Sequence, residues 1–179
     1  RFSWKGVRIA RRERVEKARA KNLTPMSLGV PKHLEGHTHV VPFNDVVALE
    51  RLLAERGDEI ACLIIEPVMM NIGIAEPEPG YLEQLKELLH RHGALLIYDE
   101  VKCGATIAPG GATERYGVVP DLACFAKAIA GGTPGAAFGG RADVMASIER
   151  GAAQQGTFNG NPLVAAAGLA ALTEVLVPD

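Results

Sequence analysis

Ala94-Leu95-Leu96-Ile97-Tyr98, followed at once by Asp99-Glu100, is the stretch on which the reading of the fold turns. An unbroken apolar run this short is too brief for a helix and has the pattern of a strand buried on both faces. Ala61 to Val68 (ACLIIEPV) has the same character up to Glu66-Pro67. Between the two, Pro79-Gly80 opens a helix in which Leu82, Leu85, Leu88 and Leu89 share one face, and Gly93 stops it. Strand, helix, strand with short joins is a βαβ unit, which needs parallel strands and a right-handed crossover.

Outward from this unit the pattern continues. Asn44 or Asp45 caps a helix through Val47, Leu49, Leu52 and Leu53 that ends at Gly57. Leu122 to Phe125 is another short apolar run, closely followed by Lys127, and Ala136 to Gly140 reads as a further strand. Asn161-Pro162 starts an Ala/Leu-rich helix to about Val175, with Pro at the favoured first position. His39 to Pro42 is expected to be extended, residues 8–21 a polar helix, and residues 104–120 a glycine-rich loop. The class is α/β.

The composition suits a globular core: 47% hydrophobic and 22% charged in 179 residues. No run of about 18 apolar residues exists, so no membrane span is expected. Three cysteines, Cys62, Cys103 and Cys124, fit no disulfide or metal spacing and read as reduced thiols of a cytoplasmic protein. His37 and His39, with His33 before them, lack the companions of a zinc site, so no metal is expected. His90 and His92 end a helix, where positive charge suits the helix dipole. The net charge of −2 hides an asymmetry: residues 1–24 hold nine Lys or Arg against Glu13 and Glu16, which is +7 and leaves −9 for the rest. No aromatic interleaving accompanies this basic segment, so a solvated helix is favoured over nucleic-acid binding. An opening Arg and a close at Val177-Pro178-Asp179, just past a helical pattern, suggest a piece of something longer.

Open α/β sheets hold ligands beyond the carboxyl ends of their strands. Glu66, Asp99 and Lys127 sit at such ends. Taken singly, an Asp there caps the next segment and a Lys reaches solvent. Together, a lysine and a carboxylate at nearby strand ends can face one cavity. Pyridoxal 5'-phosphate (PLP) needs that pair: an amine for its aldehyde and an acid to keep its ring nitrogen protonated. The displaced lysine can then move a proton between carbons. Gly156-Thr157, before a Pro-started helix, offers a hydroxyl and backbone N–H groups that suit a phosphate, but taken alone it reads as an ordinary Thr in a turn.

Six blocks carry a wider likeness. They are EPVMMNIG (66–73), GALLIYDEV (93–101), GVVPD (117–121), AKAIAGG (126–132), FGGR (138–141) and GTFNGNP (156–162). In them, from about Gly36 to Leu176, the chain resembles the class III (subgroup II) PLP-dependent aminotransferases, near the glutamate-1-semialdehyde 2,1-aminomutase-like members. The resemblance implies the large domain of PLP-dependent transferase fold type I, a mostly parallel sheet with helices on both faces. Residues 25–179 would be its central part, and residues 1–24 a basic segment without assignment. It implies that Lys127 forms the Schiff base and shuttles the proton, and that Asp99 pairs with the pyridine nitrogen. It implies that Val101 packs on the ring, Asn71 contacts the ring's 3'-hydroxyl, and Thr157 binds the phosphate of the neighbouring subunit in a homodimer. Glu66 would lie on the substrate side. The partners would be an amino donor and a keto acceptor.

One departure stands out. After Asp99-Glu100-Val101 the family usually reads Met or Gln, Thr, Gly, Phe, Arg, whereas this chain reads Lys102-Cys103-Gly104-Ala105-Thr106. Three functions follow as expectations: transamination of an amino acid or amino ketone, with the fragment inactive alone; aminomutase chemistry; or a truncated chain with only a dimerisation role.

Overall fold

The computed structural model describes Pro31 and residues 37–177. The polar helix expected over residues 8–21 lies outside the described residues. The chain divides into two compact units, residues 1–45 and 46–179. In the first, residues 38–42 pair with no strand, and a turn follows in which Asp45 N–H donates to Pro42 O.

The second unit is the α/β body. Helix α1 spans Val46–Arg56, strand β1 Cys62–Ile65, helix α2 Tyr81–Arg91, and strand β2 Leu95–Asp99. Helix α3 covers Gly111–Tyr116, β3 Leu122–Phe125, β4 Ala137–Gly140, α4 Ala142–Met145, and α5 Pro162–Ala170, which runs on as a wider turn over Ala171–Val175. The sheet order is β1-β2-β3-β4. The first three strands are parallel, and β4 returns antiparallel to β3. The fold is α/β with a mostly parallel sheet.

The helical spacing of leucines explains the packing. Leu82, Leu85, Leu88 and Leu89 of α2 are all buried, as are Leu49 and Leu53 of α1, and α2 packs on both α1 and β2. Burying one leucine contributes roughly 1.5–3 kcal/mol, so this face holds the layer together. His92, just past α2, lies over Gly57 at the end of α1, where a methyl group would overlap its ring. Strand register then sorts the sheet into two faces. Leu96 and Tyr98 are fully buried on the helix-covered side. Ile64, Leu95, Ile97, Asp99, Leu122, Cys124 and Phe138 share the other side through the pairings Ile64↔Ile97↔Leu122 and Asp99↔Cys124↔Phe138. There Ile64 is 62% exposed and Phe138 44%. The apolar run of β2 therefore calls for more cover than the described residues supply.

Two buried carboxylates brace the sheet at its two edges. At the amino edge Asp121, 1% exposed, opens β3. Its Oδ2 accepts from Leu96 N–H at 2.7 Å and lies 2.9 Å from His90 Nε2. Its Oδ1 accepts from Arg141 Nη1 at 2.9 Å, and its backbone bonds Leu96 O and Arg141 N–H. One side chain thus ties α2, β2, β3 and the end of β4 together. At the carboxyl edge Glu100, 2% exposed, turns inward from β2. It accepts from Ala112 N–H at 2.7 Å, capping α3 from across the fold. Glu114 reaches back to Gly110 N–H at 2.6 Å, and Gly117 closes the helix in the left-handed region at φ 73°. Residues 111–116 were expected as loop. Their helix depends on this distant cap, which local glycine content conceals.

Burial would push the Asp121 carboxyl up, but the Leu96 N–H, His90 and Arg141 outweigh it and hold it below the ordinary value. A depressed acid contributes stability that is present above its unfolded pKa of about 3.9 and lost as pH falls through the folded value. Asp121→Asn should cost about 1–3 kcal/mol by removing the charge that Leu96 N–H, His90 and Arg141 share. It should also flatten the acid limb of the stability curve, as urea unfolding at a series of pH values would show.

Candidate functional site

Three parallel strands deliver their ends to the carboxyl edge of the sheet, where crossover connections leave room for a ligand. Asp99 is the last residue of β2 and pairs in register with Cys124 of β3. Its Oδ1 accepts from Val101 N–H at 3.1 Å, a local turn that fixes the carboxylate and leaves Oδ2 for another donor. The register puts acid and thiol on the same face, and burial, then the Asp99 carboxylate, pushes the Cys124 thiol up.

Lys127 follows β3 closely. Ala126 is extended, and Lys127 itself adopts the left-handed conformation with φ 53° at the head of a tight turn, Lys127–Ala130. A non-glycine residue held there costs roughly 1–3 kcal/mol and persists only where its surroundings impose it. Those surroundings are visible. Ala130 is buried, and α5 packs against the turn. A methyl at Gly135 would meet Ala130 Cβ at 2.5 Å and Val164 Cγ1 at 2.8 Å, while Gly168 lies against Ile129 O. The small residues of α5 allow this approach. Lys127 itself is exposed at the edge.

Glu66 sits just beyond β1. Its Oε2 accepts from Met70 N–H at 3.3 Å and so braces the turn Met70–Ile72. Asn71 lies in that turn, and its Oδ1 accepts from Lys102 Nζ at 2.6 Å. Lys102 follows Val101, which is half-buried beside Asp99. Cys103 is buried, and burial followed by the Glu100 charge pushes its thiol up to about 11. It is protonated at neutral pH, which argues against a thiol nucleophile.

The fold brings Asp99, Val101, Lys127, Asn71 and Glu66 to one edge. Thr157 is exposed in the turn before α5, and no contact among the described residues links it to Lys127 or Asp99. The free helix N–H groups expected beside it are partly taken: Asn161 Oδ1 accepts from Leu163 N–H at 3.0 Å and Val164 N–H at 3.2 Å. Sequence reasoning missed Glu100 and the Lys102–Asn71 contact. A buried acid directly after a strand carried a signal in Glu100. The contact carried none, because 31 residues separate its partners. An open depression on α2, lined by Lys86, Glu87, His90 and Arg91, lies toward the opposite edge and holds none of these residues. Among the described residues no group of three or more His, Cys, Asp or Glu could hold a metal ion, and no helix is long and apolar enough to cross a membrane.

A mostly parallel sheet with an exposed lysine and a half-buried carboxylate beyond neighbouring strand ends places polar groups where α/β folds bind ligands. Over residues 13–178 the sequence matches the family model described as aminotransferase class-III, further upstream than Gly36. The chain belongs to the class-III aminotransferases, a family of PLP-dependent enzymes. It is 49% identical over 156 residues to a glutamate-1-semialdehyde 2,1-aminomutase of Myxococcus xanthus, covering 86% of this chain and 36% of that protein. Among solved structures it resembles an omega-transaminase from Sphaerobacter thermophilus, with TM-score 0.78 and 38% identity over 83% of this chain and 35% of the other. It also resembles a glutamate-1-semialdehyde aminomutase (K286A) from Pseudomonas aeruginosa in complex with PMP, with TM-score 0.70 and 34% identity over 79% and 33%. The chain spans about a third of the length of the curated relatives it matches.

Gly135→Ala should force α5 and the Lys127 turn apart and destabilise the unit by about 1–3 kcal/mol. Denaturant unfolding measures the loss, and a chain that tolerates the methyl without change would show that α5 does not hold the turn.

Proposed function

We propose that this chain is the cofactor-holding part of a PLP-dependent aminotransferase that acts on an amino acid or amino ketone. The observation that carries the reading is Lys127, held in a left-handed turn just beyond β3, one strand away from Asp99 at the end of β2. Such strain gathers at functional positions. The donor set fits the cofactor: one exposed amine, one half-buried carboxylate with an oxygen to spare, and an amide at Asn71. When bound, PLP draws electrons from the substrate's α-carbon.

In this reading Lys127 Nζ binds the cofactor covalently and, once displaced, carries the proton between carbons. Asp99 stabilises positive charge on the ring nitrogen by charge pairing. Asn71 donates to the ring's 3'-oxygen, and Val101 packs on one face and excludes water. Glu66 stands on the substrate side. Thr157 binds the phosphate of the neighbouring subunit. The exposed Phe158 and Leu163 beside it agree with a homodimer. An amino donor and a keto acceptor are the partners, and the cytoplasm is the compartment. Since relatives are about three times as long, the segment by itself should turn over no substrate.

A second reading, glutamate-1-semialdehyde aminomutase, is favoured by the curated relatives at 49% and 52% identity. Product analysis separates the two: the aminomutase returns the amine to the same molecule and needs no keto acid. A third, a non-catalytic chain kept for dimerisation, predicts no cofactor adduct.

The whole protein loaded with PLP should show a yellow band and a borohydride-trapped adduct on Lys127, both lost in Lys127→Ala. Asp99→Asn should keep the adduct and lower the rate by about 10²-fold or more. An adduct on another lysine would refute the assignment.

A further inference from the structure

Lys102 stands where the family carries Met or Gln, and it makes a 2.6 Å contact with Asn71. The two come from different parallel crossings: Asn71 from the turn after β1, Lys102 from the loop after β2. An ammonium has donors and no acceptor, and a carboxamide has one oxygen acceptor and an NH2 donor. The contact can therefore form only with the Asn71 oxygen. That settles which way the amide points and leaves its NH2 free to donate elsewhere. A methionine would impose no such orientation, and a glutamine could bond either end.

We infer that Lys102 is a positioning residue that clamps Asn71 with its NH2 toward the cofactor's ring oxygen and adds a positive charge to the site that the family's usual residues lack. This rests on the assignment of Lys127 and Asn71 to the cofactor. The consequence is orientational. With its oxygen engaged by Lys102, the Asn71 amide presents its NH2 rather than its oxygen to an acceptor on the ring, and that preorganisation strengthens cofactor binding.

The test uses the full protein and a readout besides activity, its affinity for PLP. Lys102→Met should weaken PLP binding several-fold. Lys102→Arg, which has donors and no acceptor, should keep the wild-type affinity, and Lys102→Met in an Asn71→Ala background should cost nothing further. A Lys102→Met protein that loads PLP with unchanged affinity overturns the inference, as does an equal loss in the Asn71→Ala background. If the wild-type protein forms no borohydride-stable adduct at Lys127, the underlying assignment falls and takes the inference with it.

Discussion

The parallel pairing of β2 with β3, in the register Ile97↔Leu122, Tyr98↔Ala123 and Asp99↔Cys124, is the constraint on which the rest of the molecule depends. In a strand, side chains alternate between faces, so a slip of one residue would reverse every assignment. Leu96 and Tyr98 would leave the helix layer. Asp99 would turn inward and Glu100 outward, exchanging a free carboxylate for one that caps α3. The register is specified by burial on one face, where α2 supplies four buried leucines, and by Asp121, whose carboxylate bonds β2 at Leu96 N–H.

The two acids after β2 show how one strand end can serve two purposes. Asp99 stays half-exposed, its carboxylate tied to Val101 N–H. Glu100 is driven into the interior, where burial raises its carboxyl even against the Ala112 N–H that it accepts. Neighbouring Tyr98 has a buried hydroxyl without a hydrogen-bond partner among the described residues, and burial followed by the Glu100 charge raises its own pKa. Behind the edge, then, a capped acid and a lone hydroxyl sit among buried apolar side chains.

Small residues have the corresponding task on the lysine side. Ala130, Gly135, Val164, Ala167 and Gly168 let α5 approach the Lys127 turn closely. The strain at Lys127 can be held because the helix behind it has little side chain to displace. Together with the Lys102–Asn71 contact, this ties the connection after β1 to the one after β2 and backs the turn after β3 with α5.

Much of this was legible in the amino-acid order, because it depends on period and punctuation. The leucine spacing of α2, the apolar runs of β1, β2 and β3, and the caps at Gly93 and Asn161 all depend on neighbours a few residues away. Lys127 and Asp99 were legible as strand-end polar groups for the same reason. What only the tertiary structure decided involves partners distant in the chain. Helix α3 forms over an expected loop because Glu100 caps it from 12 residues away. His90 closes on Asp121 from 31 residues away, and Lys102 on Asn71 from the same separation. Local sequence encodes which segments can be helix or strand. It does not encode which buried donor a distant carboxylate will find, since that choice is made when the layers pack and every unpaired polar group must be satisfied.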